Sequence, residues 1–109
     1  MLRDLVAKAR ALPGPDNWVQ AVFTIESLAR TAREAGDWEF AGWLARQMVE
    51  HDPNYAGGQY VLGLVLEHDG NPQGARAAYR AALEKWPHAD ASLAEVARLR
   101  TLGLDRREP

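Results

Sequence analysis

The residues best suited to metal ligation or proton transfer are His51, His68 and His88, and their spacing is unpromising for either. None forms an i, i+4 pair with another ligand on one helix. His51 and His88 sit in turns flanking Pro53 and Pro87, where exposed polar residues are expected. Zinc needs three or four convergent ligands, so no metal site is expected. Gly57-Gly58 is not a phosphate loop, because it lacks the Lys-Ser/Thr ending and a preceding strand. The carboxylates Glu34, Asp37 and Glu39 flank a helix–helix turn, where Asp37 and Glu39 suit the start of the second helix better than acid–base work. The serines and threonines have no histidine at a recognisable spacing. Arg98, Arg100, Arg106 and Arg107 could contact phosphate, but no aromatic residues interleave with them, and basic residues near a helix C-terminus are expected from its dipole. These patterns predict no enzyme, no cofactor and no nucleic-acid partner.

The elements around these residues read as helices. An apolar run from Tyr55 to Leu66 breaks at Asp69-Gly70-Asn71-Pro72, and a second run, Gln73–Trp86, stops at Pro87. Gly70 can take the left-handed conformation that ends a helix, Asn71 can cap the next, and Pro72 fits its first position. Leu62, Gly63 and Leu66 share one side of the first helix, and Ala75, Tyr79, Ala82 and Leu83 recur at helical spacing on the second. Small residues at Gly63, Ala75, Ala78 and Ala82 allow close approach, with Tyr79 filling the gap.

A shift back by 34 residues repeats the punctuation: Gly36 for Gly70, Asp37 for Asn71, Ala41 for Ala75, Leu28 for Leu62, Pro53 for Pro87. From Val22 to about Leu102 the chain resembles the tetratricopeptide repeat family, whose period is 34 residues. Leu62-Gly63, Ala75, Tyr79 and Pro87 fall at that family's Leu-Gly, Ala, aromatic and Pro positions. Gln59 stands where Trp is usual and Leu66 where Tyr is usual. The first unit keeps Leu28, Ala29, Ala41 and Pro53 but has Ala45 at the aromatic position. The resemblance implies an all-α fold, a right-handed superhelix of antiparallel helix pairs.

Six helices are expected. Residues 1–15 hold an N-terminal helix, Leu2–Leu12 with Leu2, Leu5, Val6, Ala9 and Leu12 on one stripe, ended by Pro13-Gly14-Pro15. Residues 16–53 form the first repeat. Asp16 caps a long helix over about Asn17–Ala35, with Trp18, Val22, Ile25, Leu28, Ala29 and Ala32 toward the core. Asp37 caps Trp38–His51, whose inner face is Trp38, Ala41, Leu44, Ala45 and Met48. Residues 54–87 form the second repeat, with Trp86 stacked beside Pro87. A capping helix fills 88–104, capped around Asp90 with Ser92 and Glu95 as a capping box and a Schellman ending at Gly103-Leu104, and 105–109 is a tail. Two repeats bury their faces only against neighbours, so the flanking helices, or a second copy of the chain, are expected to cover the ends.

The chain has 109 residues, enough for one domain, and a net charge of −2 that exerts no pull on nucleic acid or anionic lipid. Cysteine is absent, which excludes disulfides and thiolate metal sites. No apolar run approaches the roughly 20 residues needed to span a bilayer, and the start lacks a signal peptide's apolar stretch, so a cytoplasmic location and no membrane partner are expected.

The helix Tyr55–Leu66 is anomalous, since Tyr60, Val61, Leu64 and Val65 make it apolar around its circumference. In the resembled family the first helix of each repeat lines a concave ligand groove. By register that groove would show Phe23, Glu26, Ser27 and Arg30, then Tyr60, Val61 and Leu64, then Ala94, Glu95 and Arg98. It would bind a protein or peptide with apolar side chains, each contributing about 1.5–3 kcal/mol on burial, with Glu26 and Arg30 setting orientation. The alternative is that Val61 and Val65 meet neighbouring helices and only Tyr60 and Leu64 remain for a partner. The carboxylate clamp of chaperone-binding members is not expected, because the matching residues are Glu26, Arg30, Val61, Ala91 and Glu95, of which Arg30 alone is basic. By register Trp43 sits on the outer face of its helix with Arg46, Gln47 and Glu50. It is either an interface anchor or a residue covered by the N-terminal helix. The alternative to peptide binding is self-association, in which a second copy buries the same apolar surface, with or without Trp43; a third reading is a regulatory or assembly module of a larger enzyme system.

Overall fold

The computed structural model describes residues 2–85, 96–101 and 103. The fold is all-α: α1 is Leu2–Ala11, α2 Pro15–Glu34, α3 Trp38–His51, α4 Ala56–His68 and α5 Pro72–Glu84, and a further helical stretch covers 96–101. Among the described residues no helix is long and apolar enough to cross a membrane. Consecutive helices pack against each other from α1 to α5, and α2 also touches α4.

The α2–α3 and α4–α5 connections are built the same way. Gly36 (φ 79°) donates its N–H to Arg33 O at 3.0 Å, and Asp37 donates to Ala32 O at 2.8 Å. Gly70 (φ 78°) donates to Glu67 O at 3.2 Å, and Asn71 to Leu66 O at 2.9 Å. Both are Schellman endings, which need a left-handed residue that glycine supplies without steric cost. The next residue then caps the following helix. Asp37 Oδ1 accepts from the Phe40 N–H at 3.1 Å, and Asn71 Oδ1 from the Gly74 N–H at 2.9 Å. The expected caps and turns are therefore present, 34 residues apart.

The main core is Ile25, Ala29 and Ala32 of α2, Ala41, Leu44, Ala45 and Met48 of α3, and Val61 and Val65 of α4, with Val6 from α1. A second cluster joins Leu64 to Ala75 and Tyr79. Gly63 lies against the Tyr79 ring, as its small size implied, and the ring is fully buried.

Several expectations need correction. α2 begins two residues earlier than expected, with Pro15 at its first position and Gly14 before it, so Asp16 lies inside the first turn and is not the cap. Proline already has helical φ and no N–H to satisfy, and this moves the boundary. Trp18 is exposed, because the extra N-terminal turn of α2 runs past the core. Along α1 only Val6 of the expected stripe is buried, and Leu2, Leu5 and Leu12 remain exposed. In the 96–101 stretch Ala97 and Thr101 are buried, with Thr101 Oγ1 donating to Ala97 O at 2.8 Å, and Val96 and Leu99 stay exposed. The Trp86–Pro87 stack, the Asp90 cap, the Ser92–Glu95 box, His88, Ala91, Leu93, Ala94, the Leu104 ending and the tail all lie outside the described residues.

Candidate functional site

α2 and α4 share a face on which Phe23, Glu26 and Arg30 come together at helical spacing. Phe23 is 46% exposed and meets the ring of Tyr55 edge-on, with centroids 5.7 Å apart and planes at 80°. The Tyr55 ring and the Glu26 carboxylate lie side by side against Gly57, with Arg30 close enough to act on the same phenol. Arg30 itself is exposed. Tyr55 precedes α4 and makes no side-chain cap, so Glu26 brings the negative charge to that helix N-terminus from across the interface. Gly57 makes room for this. A Cβ there would stand 2.7 Å from the Tyr55 ring and closer still to Glu26 Oε2. Gly58 is packed for a similar reason, a Cβ there meeting Met48 Cβ at 3.0 Å.

Farther along α4, Tyr60 is half-buried, its ring 5.9 Å from that of Tyr79. The Tyr79 hydroxyl donates to Glu67 Oε2 at 3.0 Å, and Arg100 Nη1 donates to the same oxygen at 2.6 Å. Glu67 thus ties α4, α5 and the 96–101 stretch into one network. Arg98 lies exposed on that stretch.

Both phenols are held neutral. Burial first, then the charge and hydrogen bond of Glu26, raise Tyr55 well above its ordinary 10.0, against an opposing pull from Arg30. Burial first, then Glu67, raise Tyr79 in the same direction. For a group raised in the folded state the stabilising contribution is full below the unfolded value and lost as pH climbs toward the folded one. Stability is therefore expected to fall above about pH 10, the ordinary tyrosine value. Tyrosinate absorbance and far-UV dichroism, followed together in alkali, check this. Ionisation of every tyrosine near 10.0 with helicity intact would contradict the packing of both rings.

Of the other groove residues expected from register, Val61 at 2% exposure and Leu64 at 7% belong to the core. Val61 faces α2 and α3, and Leu64 faces α5, because α4 is enclosed on those sides. Trp43 is half-buried and not an exposed anchor. The Arg3 guanidinium of α1 lies 4.9 Å from its ring centroid, and Phe40 stacks on it at 5.9 Å. His51 is likewise not an exposed turn residue. Its Nδ1 accepts from Arg10 Nε at 3.4 Å, which leaves the ring proton on Nε2 to donate to Trp18 O at 2.8 Å. The Trp18 ring stacks on it at 4.9 Å, and Arg10 also bonds Gln47 and Glu50. The structure thus clusters Phe23, Glu26 and Arg30 and separates them from Val61, Leu64 and Trp43.

Tyr55 is the site residue that sequence reasoning missed. Its signal was the pair Gly57-Gly58 opening a helix, a place where small residues mark close approach by another element. Among the described residues no group of three or more His, Cys, Asp or Glu side chains could hold a metal ion. No protein-family model matches this chain, and no curated protein matches it either.

Proposed function

We propose that this chain is a cytoplasmic tetratricopeptide-like interaction module, a short right-handed superhelix of helix pairs. On this reading it holds a peptide or helix bearing apolar side chains on the α2–α4 face, and has no chemistry of its own. Support for the family reading comes from the two alike Schellman-and-cap junctions 34 residues apart and from Gly63 packed on Tyr79. The binding reading rests on one observation: Phe23 is left exposed yet held edge-on by Tyr55, on the face that the first helices of both hairpins share. An exposed, immobilised aromatic offers contact area at little entropic cost, which is how interface anchors work.

The register-based groove is therefore moved toward α2. Phe23 and the half-buried Tyr60 supply the apolar surface. Glu26 is engaged by Tyr55, so Arg30 is left to orient an acidic group of the ligand. Peptides selected from a random display library against the folded chain are expected to carry an apolar anchor near an acidic residue. Phe23→Ala and Arg30→Ala should each weaken them by roughly tenfold or more, with helicity unchanged because both side chains are exposed. Selected peptides that bind the double variant as well as the parent chain would refute the site.

A further inference from the structure

We infer that Arg30 and Arg33 form a phosphoryl-binding subsite on the α2–α4 face, so that the peptide held beside Phe23 is one with a phosphorylated side chain. The inference rests on the peptide-binding reading and names the ligand's acidic group. At about 100° per residue Phe23, Glu26, Arg30 and Arg33 fall within an arc of about 80° on α2. One face of one helix thus has an exposed ring toward its start and two guanidinium groups toward its end.

The pair stands out because it lacks a counter-charge. Among the described residues neither guanidinium takes part in an ion pair or a hydrogen bond. Arg33 is half-buried, and its Nε is buried without a partner. An unpaired, partly desolvated charge is unfavourable in a folded chain, and an anionic ligand offsets that penalty. The two carboxylates nearest to the pair on α2 do not serve. Glu26 lies against Gly57 and Tyr55 at the N-terminus of α4, whose dipole meets its charge. Glu34 is exposed and makes no ion pair among the described residues.

The end of α2 does not account for Arg33 either. The N–H groups of Ala35, Gly36 and Asp37 bond the carbonyls of Thr31, Arg33 and Ala32 at 3.0, 3.0 and 2.8 Å. The last turn is closed by backbone, and the guanidinium is left over. With Glu26 met by α4, the face holds two uncompensated positive charges. A phosphate monoester has a charge of about −1.5 to −2 at neutral pH and three acceptor oxygens, which two guanidinium groups match better than they match one carboxylate. Arg30 and Arg33 stand about 10 and 15 Å along α2 from Phe23, from the helical rise per residue. An extended peptide covers that distance in about three to five residues. The ligand that fits has an apolar side chain and a phosphorylated one about four residues apart.

Inorganic phosphate titrated into the isotope-labelled full chain tests the subsite without any peptide. The Arg33 Nε–H resonance is expected to shift and saturate, and chloride at matched ionic strength should leave it in place. A shift no larger than that with chloride would overturn the inference. Synthetic peptides with a leucine about four residues from phosphoserine, glutamate or serine then separate phosphate from carboxylate. The phosphoserine peptide is expected to bind roughly tenfold tighter than the glutamate peptide. Equal binding of the two would overturn the inference in favour of a carboxylate ligand. Arg33→Gln should erase the preference, and Arg33→Lys should keep only part of it because lysine lacks the planar fork, with helicity unchanged in both. A preference that survives Arg33→Gln would also overturn the inference. Phe23→Ala should weaken all three peptides alike and leave the preference intact. If it weakens none of them, the apolar anchor fails while the phosphoryl subsite stands, which separates this test from that of the peptide site.

Discussion

Gly63→Ala is expected to destabilise the fold by on the order of 3 kcal/mol, although alanine is the better helix former by about 1 kcal/mol. The opposing effect is steric. A Cβ at position 63 would stand 2.5 Å from Cδ1 of Tyr79, 3.0 Å from Cζ, and closer still to Cε1. The ring cannot swing aside. It is fully buried, and its hydroxyl is bonded to Glu67, which also holds Arg100. Relief would require moving α4 away from α5 or breaking that network.

The cause can be isolated with a double-mutant cycle. Tyr79→Leu alone should cost a few kcal/mol through lost volume and the loss of one of the two hydrogen bonds to Glu67, which keeps Arg100. In that background Gly63→Ala should become neutral or stabilising, because the intrinsic helix preference is then unopposed. Urea unfolding of the four proteins reads the interaction energy directly. A Gly63→Ala chain more stable than its parent would mean that the α4–α5 contact is looser than described.

The second large effect concerns where the binding site is. Leu64→Ala is expected to cost about 3 kcal/mol of stability, since Leu64 is packed with Ala75 and Tyr79. The affinity of the remaining folded molecules for a selected peptide should not change. Phe23→Ala should do the reverse, lowering affinity and leaving the unfolding midpoint nearly unchanged, because nearly half of Phe23 faces solvent. Both quantities can be measured on the same samples by denaturant titration and calorimetry. A Leu64→Ala protein that loses affinity while keeping its midpoint would return the site to the Tyr60–Leu64 face.

How much was legible in the sequence differs between the fold and the candidate site. The turns at Gly36-Asp37 and Gly70-Asn71 were readable because a Schellman ending and a side-chain cap are local events, decided by a few consecutive residues. The inner face of α3 followed from spacing, since a helix with neighbours on one side buries one stripe. α4 did not yield to that logic. It is apolar all round because α2 and α3 lie on one side and α5 on another, so surplus apolar residues in the pattern meant core where a groove was expected.

The sequence by itself determined the helical class, the positions of the turns and caps, and the pairing of a small residue with Tyr79 across a hairpin. All three are set by interactions between residues close in the chain or by the bulk of a single side chain. Tertiary structure alone decided which apolar residues reach solvent. Val61 and Leu64 disappear inside, while Phe23, Leu5 and Leu12 remain outside. It also decided that Glu26 turns to Tyr55, and that Trp43 lies under Arg3 of a helix about forty residues earlier in the chain. Exposure depends on which elements are neighbours in space, and periodicity within one helix carries no information about what stands opposite each of its faces.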